Sequence, residues 1–201
     1  MKMAAMCGLL ALGMTGTGWA QPAAPAAEAA GNLPAGFYVR SSCLKPEKPV
    51  GKPAYTDPQD VAIYNLRVQR FNKAVAAFNV CLKAYLENAD RDVERILSVV
   101  NSAVAEVQGS APPPAPVAPG NMPADFYPAS PCAKPSREAL GTQPPPQDVK
   151  AMAAYNLRVA SFNDQAKVFA DCLRGYQDNA RRDMEQIRAA TRDAATDAGA
   201  P

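Results

Sequence analysis

Five cysteines and no histidine set the chemical range of this 201-residue chain. Histidine is the commonest general base near neutral pH and a common metal ligand. Without it, acid–base or metal chemistry has to rest on carboxylates and thiolates. The acidic pairs that could serve are Asp90 with Asp92 and Asp183 with Glu185, each two residues apart in stretches that read as helix. Such neighbours diverge around a helix instead of converging on a substrate, so both pairs are expected on the solvated surface. The chain holds no Gly-rich phosphate loop, G-x-S-x-G elbow, H-E-x-x-H or C-x-x-C. No catalytic residue, cofactor or metal ligand is assigned, and the chain is expected not to be an enzyme.

The cysteines point to a different chemistry. Residues 1–20 have the form of a secretory signal: Lys2, an uncharged run from Met3 to Met14, then small residues up to Gly18-Trp19-Ala20. The run is too short and too weakly apolar for a membrane span. Cys7 lacks a small residue before it and most of the apolar run follows it, which argues against a lipoprotein. Cleavage after Ala20 removes Cys7 and leaves Cys43, Cys81, Cys132 and Cys172. An even number in an oxidising compartment predicts disulfides, in a periplasmic or secreted protein. With 21 basic against 19 acidic residues, there is no overall field that would favour nucleic acid or anionic lipid.

What must position these cysteines is a duplicated unit. Gly31-Asn32-Leu33-Pro34-Ala35-Gly36-Phe37-Tyr38 matches Gly120-Asn121-Met122-Pro123-Ala124-Asp125-Phe126-Tyr127. Tyr64-Asn65-Leu66-Arg67-Val68 is identical to Tyr155-Asn156-Leu157-Arg158-Val159, and Cys81-Leu82 matches Cys172-Leu173. The offset is 89 residues before the helices and 91 within them, so copy two carries a small insertion between Cys132 and Tyr155.

Proline divides each copy. All 20 prolines fall in residues 22–58, 112–146 or at Pro201, and proline is excluded from helix interiors. The predicted organisation is a signal peptide (1–20), a flexible tether (21–30), repeat 1 (31–109, leader 31–58 and helix 59–108), a Pro-rich linker (110–119) and repeat 2 (120–201, leader 120–147 and helix 148–197). Pro58-Gln59-Asp60 and Pro146-Gln147-Asp148 mark the two starts, with acid near the positive end of the helix dipole. Gly109 is the expected stop of the first helix.

The apolar spacing alternates four and three, as in a coiled-coil seam. Aromatic residues fill one position throughout: Tyr64, Phe71, Phe78 and Tyr85, then Tyr155, Phe162, Phe169 and Tyr176. This stripe is expected to be core. Beyond Ala89 the spacing takes a second step of four to Val93, and copy two does the same at Met184, which predicts a stutter. Asn65, Asn72, Asn79, Asn156 and Asn163 form a polar ladder beside the seam, expected to bond leader backbone or the partner helix; a glycan or peptide site is the other expectation.

The fold class expected is all-α: two tandem repeats, each a Pro-rich leader stapled to one long amphipathic helix, with the helices pairing as a coiled-coil-like hairpin. A leader running back along its helix can bring Cys43 to Cys81 and Cys132 to Cys172; Cys43 with Cys132 and Cys81 with Cys172 is the alternative. The linker permits parallel or antiparallel helices. The thin core makes a homodimer one expected assembly. An interaction module for an envelope protein or cell-wall component is the first functional expectation, a structural spacer or self-assembling subunit the second, and a histidine-free enzyme the third.

Overall fold

A computed structural model describes residues 31–51, 57–108 and 118–199. The expected signal peptide (1–20) and tether (21–30), Gly109 and most of the Pro-rich linker lie outside these residues. The described chain is helical and contains no strand. Two long helices, α1 (Pro58–Gln108) and α2 (Val149–Gly199), are joined by a connection that includes one 3₁₀ turn, Arg137–Leu140. At 51 residues each, the helices are about 76 Å long. Among the described residues no helix is long and apolar enough to cross a membrane.

Local chemistry sets the helix starts. Asp57 accepts the Gln59 amide through Oδ1 at 2.8 Å, with Pro58 at the first helical position where its missing N–H costs nothing. Asp148 accepts the Ala151 amide through Oδ1 at 2.9 Å. The second start differs from the sequence expectation. Asp60 lies in the first turn of α1, whereas Asp148 is the cap that precedes α2. The true counterpart of Asp148 is Asp57, at the helical offset of 91. The matching Pro-Gln-Asp triplets are therefore three residues out of register with the helices.

The helices run antiparallel. Lys45, two residues past the Cys43–Cys81 disulfide, donates from Nζ to the Asp197 carbonyl at 2.8 Å. Lys134, two residues past the Cys132–Cys172 disulfide, donates to the Glu106 carbonyl at 2.5 Å. The middle of each helix thus lies beside the C-terminus of the other. Each lysine also meets the negative end of the opposing helix dipole.

This register limits the pairing. Only the C-terminal halves overlap, over about 45 Å, and the first 20 or so residues of each helix project as arms in opposite directions. A hairpin paired along its whole length is not what forms. All buried helix residues lie in the overlap: Tyr85, Ala89, Asp92, Ile96 and Val100 on α1, and Leu173, Tyr176, Ala180, Asp183 and Ile187 on α2.

The leaders supply the rest of the core. Tyr38 and Tyr127 are buried and pack on Tyr85 and Tyr176, with ring centroids at 6.3 Å and 6.2 Å. Phe37 and Phe126, one from each leader, stack on one another at 6.4 Å. Beyond the disulfides each leader continues along its arm. Pro46, Glu47 and Pro49 lie against Arg67, Arg70 and Phe71, and Arg158 Nε donates to the Leu140 carbonyl at 3.0 Å.

Candidate functional site

The most concentrated chemistry lies where the helices cross. Asp92 and Asp183 have no solvent-accessible surface, so the expectation that they are solvated is overturned. Their burial moves the irregular step. Along α1 the buried positions run Tyr85, Ala89, Asp92, Ile96, Val100, and along α2 Leu173, Tyr176, Ala180, Asp183, Ile187. On α2 three and four alternate throughout, whereas on α1 the alternation holds to Ile96 and a second step of four follows to Val100, with a carboxylate at one buried position of each helix. Val93 and Met184 are only partly buried. A filter that admitted apolar residues alone skipped the aspartates and put the irregular step at Val93 and Met184.

Each carboxylate holds the start of a leader. Asp92 Oδ2 accepts the amides of Asn121 (2.8 Å) and Met122 (3.1 Å) and the Tyr38 hydroxyl (3.0 Å). Asp183 accepts the Asn32 amide (2.8 Å) and the Tyr127 hydroxyl (3.1 Å) at Oδ2, and the Leu33 amide (3.4 Å) at Oδ1. The asparagine side chains complete the clusters. Asn121 Nδ2 donates to the Tyr38 hydroxyl (2.9 Å) and the Tyr85 carbonyl (2.8 Å). Asn32 Nδ2 donates to the Tyr127 hydroxyl (2.7 Å) and the Tyr176 carbonyl (2.9 Å). Each leader therefore straddles both helices: its Gly-Asn end bonds the far helix and its tyrosine the near one.

Glycine makes the approach possible. A Cβ on Gly120 would lie 2.0 Å from Asp92 Oδ1, and one on Gly31 would lie 1.8 Å from Asp183 Oδ1. Gly36, Gly51 and Gly141 serve another purpose, since all three adopt positive φ, Gly36 in a turn and Gly141 as the cap of the 3₁₀ helix.

The clusters differ in one partner. Arg95 Nη1 donates to Asp92 Oδ1 at 2.8 Å and to the Met122 carbonyl at 2.9 Å. Its Nη2 reaches the Pro123 and Ala124 carbonyls, and its guanidinium lies 5.0 Å from the Phe126 ring centroid. The matching position on α2 is Gln186, whose Oε1 accepts the Gly36 amide at 2.8 Å and adds no charge. Burial accordingly raises the Asp183 carboxyl above the usual range, against the opposing pull of its amide and hydroxyl donors and Arg182. Burial also raises the phenols. Tyr176 is pushed up to about 12, with Asp183 adding to the effect. Tyr38 and Tyr127 rise further, through burial first and then the neighbouring carboxylates, while the asparagine amides oppose the shift. Tyr85 is raised by burial and by Asp193.

Among the described residues every buried polar side-chain atom has a hydrogen-bond partner, and no group of three or more His, Cys, Asp or Glu is placed to hold a metal ion. The two carboxylates are sealed among donors and have no face open to a substrate. What this geometry does is clamp the leaders to the helices.

The residues singled out from sequence are spread more widely. Tyr85 and Tyr176 are buried, whereas Tyr64, Phe71, Phe78, Tyr155, Phe162 and Phe169 lie on the arms and are only partly covered. Asn65, Asn72, Asn79, Asn156 and Asn163 are exposed. They bond neither leader nor partner helix among the described residues. The asparagines that build the clusters are instead Asn32 and Asn121, which sequence reasoning passed over. Their signal was present in the duplication, since Gly-Asn, Tyr38/Tyr127 and Asp92/Asp183 all occur in both copies. No family model, curated protein or solved structure matches the chain.

Proposed function

We propose that this chain is an exported, non-enzymatic interaction module of the bacterial envelope, built from two tandem copies of a disulfide-stapled leader and helix whose seams pair in coiled-coil fashion. The observation that carries this reading is the pair of projecting arms. They place apolar side chains in solvent, among them Leu66, Val80, Leu157 and Val168, on helices held rigidly at the centre. Together with the half-covered aromatic stripe of the same arms, they offer apolar surface to a partner. The non-enzymatic reading draws on the missing histidine and on buried carboxylates that serve as clamps. Export draws on the signal-like first 20 residues and on the four paired cysteines.

A second reading, a spacer or self-assembling subunit, is supported by the continuation of the seam spacing along both arms, which would suit a second copy. Photo-crosslinking residues placed at Leu66 and Leu157 of the full chain in cells separate the two. A reproducible adduct with another envelope component supports the interaction module. Adducts with the chain itself support the spacer, and no adduct from either arm overturns both.

A further inference from the structure

The two copies share what holds them together, so a site present for its own sake should lie where they differ. The insertion in copy two lies between Cys132 and Tyr155, and the 3₁₀ turn Arg137–Leu140 forms there. Between this turn, the end of α1 and the arm of α2 runs an open groove of about 970 Å³. Its floor is apolar: Val107, Phe162, Ala166, Phe169, Ala170 and Leu173. Two of these alanines stand where copy one has larger side chains, Val75 for Ala166 and Asn79 for Ala170. The groove is thus deepened by residue choice, and its wall, residues 134–138, belongs to the segment between Cys132 and Tyr155 that carries the insertion.

We infer that this groove binds a single-chain anionic amphiphile, a long-chain fatty acid or a molecule of the same chemistry. Three features select that class. The lining extends along α2 from Phe162 to Gln177, 15 residues or about 22 Å, which matches an extended acyl chain of about 16 carbons. The volume falls within the range of small-molecule sites, about 300–1,000 Å³. The lining holds Lys134, Arg137 and Arg174 against the single carboxylate of Glu138. Lys134 is engaged by the Glu106 carbonyl and Arg174 by Asp171. Arg137 has no ion-pair partner among the described residues and is the cation that would take the carboxylate head. The chain-wide charge is near balance, so the attraction is local to the groove.

Titration of the mature, disulfide-intact protein with palmitate, followed by calorimetry and by displacement of a dansylated undecanoate probe, tests the assignment. Saturable binding at one site per chain is expected. Ala166→Phe, which fills the floor, should weaken it at least tenfold, and Arg137→Glu should weaken palmitate more than hexadecanol. Val75→Phe in copy one serves as the control for folding and should leave binding unchanged. The site is overturned by no saturable binding, by equal affinity for palmitate and hexadecanol, by an Ala166→Phe variant that folds and binds as the parent does, or by an acidic amphipathic peptide that outcompetes palmitate. None of these outcomes bears on whether the arms capture an envelope component.

Discussion

Replacing Gly120 by alanine tests the central clamp with a single added methyl group. Ordinary contact to a Cβ begins near 3.4 Å, and the new carbon would stand 2.0 Å from Asp92 Oδ1, 2.4 Å from its Cγ and 2.7 Å from Oδ2. Either the carboxylate or the 120–122 backbone must retreat by more than 1 Å. The bonds from the Asn121 and Met122 amides, now 2.8 Å and 3.1 Å, then exceed hydrogen-bonding range. Hydrogen bonds to a charged group contribute about 1.5–3 kcal/mol each, so losing both costs about 3–6 kcal/mol, a large share of the stability of a typical domain. Urea unfolding followed by circular dichroism at 222 nm, with the disulfides intact, measures it. Gly175→Ala is the internal control. That glycine lies within α2 with nothing near its would-be Cβ, and copy one already has Ala84 at the matching position. It should stabilise by about 0.5–1 kcal/mol. The decisive measurement is the double mutant with Asp92→Ala, in which the obstructing carboxylate is gone. There the added methyl should cost under about 1 kcal/mol. A full cost in that background, or a cost below about 1 kcal/mol in the parent, would refute the close approach as the reason for glycine.

Three further outcomes follow from the same clusters and from the disulfides. Tyr38, Tyr85, Tyr127 and Tyr176 all have raised folded-state pKa values, so the stability they contribute is complete below the unfolded value near 10 and is lost as pH rises above it. With all four held as neutral phenols the slope is about 5 kcal/mol per pH unit, and in a variant with Tyr55, Tyr64 and Tyr155 replaced by phenylalanine, tyrosinate absorbance at 295 nm should appear together with loss of helix instead of before it. Asp183 is also raised, which for a carboxyl means that the folded state keeps its proton longer than the unfolded chain. The stability of the parent relative to Asp183→Asn should therefore decline as pH rises from 3.8 through the folded value, and a rise over that window would contradict the assignment. Replacing Cys43 and Cys81 together by alanine opens a loop of 38 residues and should cost about 4 kcal/mol in the chain-entropy model. Hydrogen exchange in that variant should quicken over residues 58–80 well before the Asp92 cluster.

How far the fold was legible depended on which physical signal each part left in the chain. Helix content followed from the confinement of proline and from the four-three spacing, both local properties. The reach of an extended leader along a helix admitted the pairing of Cys43 with Cys81 and of Cys132 with Cys172, which is the pairing that the structure contains. Pairing direction left no local trace, because the linker spans either arrangement. The limited overlap of the helices left none either, since Phe71 on an arm and Tyr85 in the core have the same spacing and similar apolarity. Only the partner differs. The clamps were hidden for a chemical reason. Aspartate is almost never fully buried unless paired, so Asp92 was set aside as surface. Yet its burial is tolerated once backbone amides, a phenol and Arg95 meet both of its oxygens.

The difference between the clusters gives the molecule a direction that the duplication alone would not. The Asp92 cluster holds the leader that begins at Gly120 in mid-chain, and it has Arg95 to balance the charge and to bind three successive carbonyls across Met122, Pro123 and Ala124. The Asp183 cluster holds the leader that begins at Gly31, and Gln186 supplies one hydrogen bond to Gly36 and no charge. A buried carboxylate with no cation hydrogen-bonded to it is the costlier one to keep ionised, so the Asp183 clamp is the one expected to open first. When it opens, residues 31–37 are released from α2, but the chain beyond stays fixed at Cys43–Cys81. The weaker clamp also lies beside the groove, since Asn32 Nδ2 bonds the Tyr176 carbonyl one residue from Gln177 in the groove lining. Opening there can free the N-terminal leader next to the groove while the Asp92 cluster keeps its bonds to the second leader. Two copies of one unit are in this way divided between a movable end and a fixed one, through the single exchange of Arg95 for Gln186.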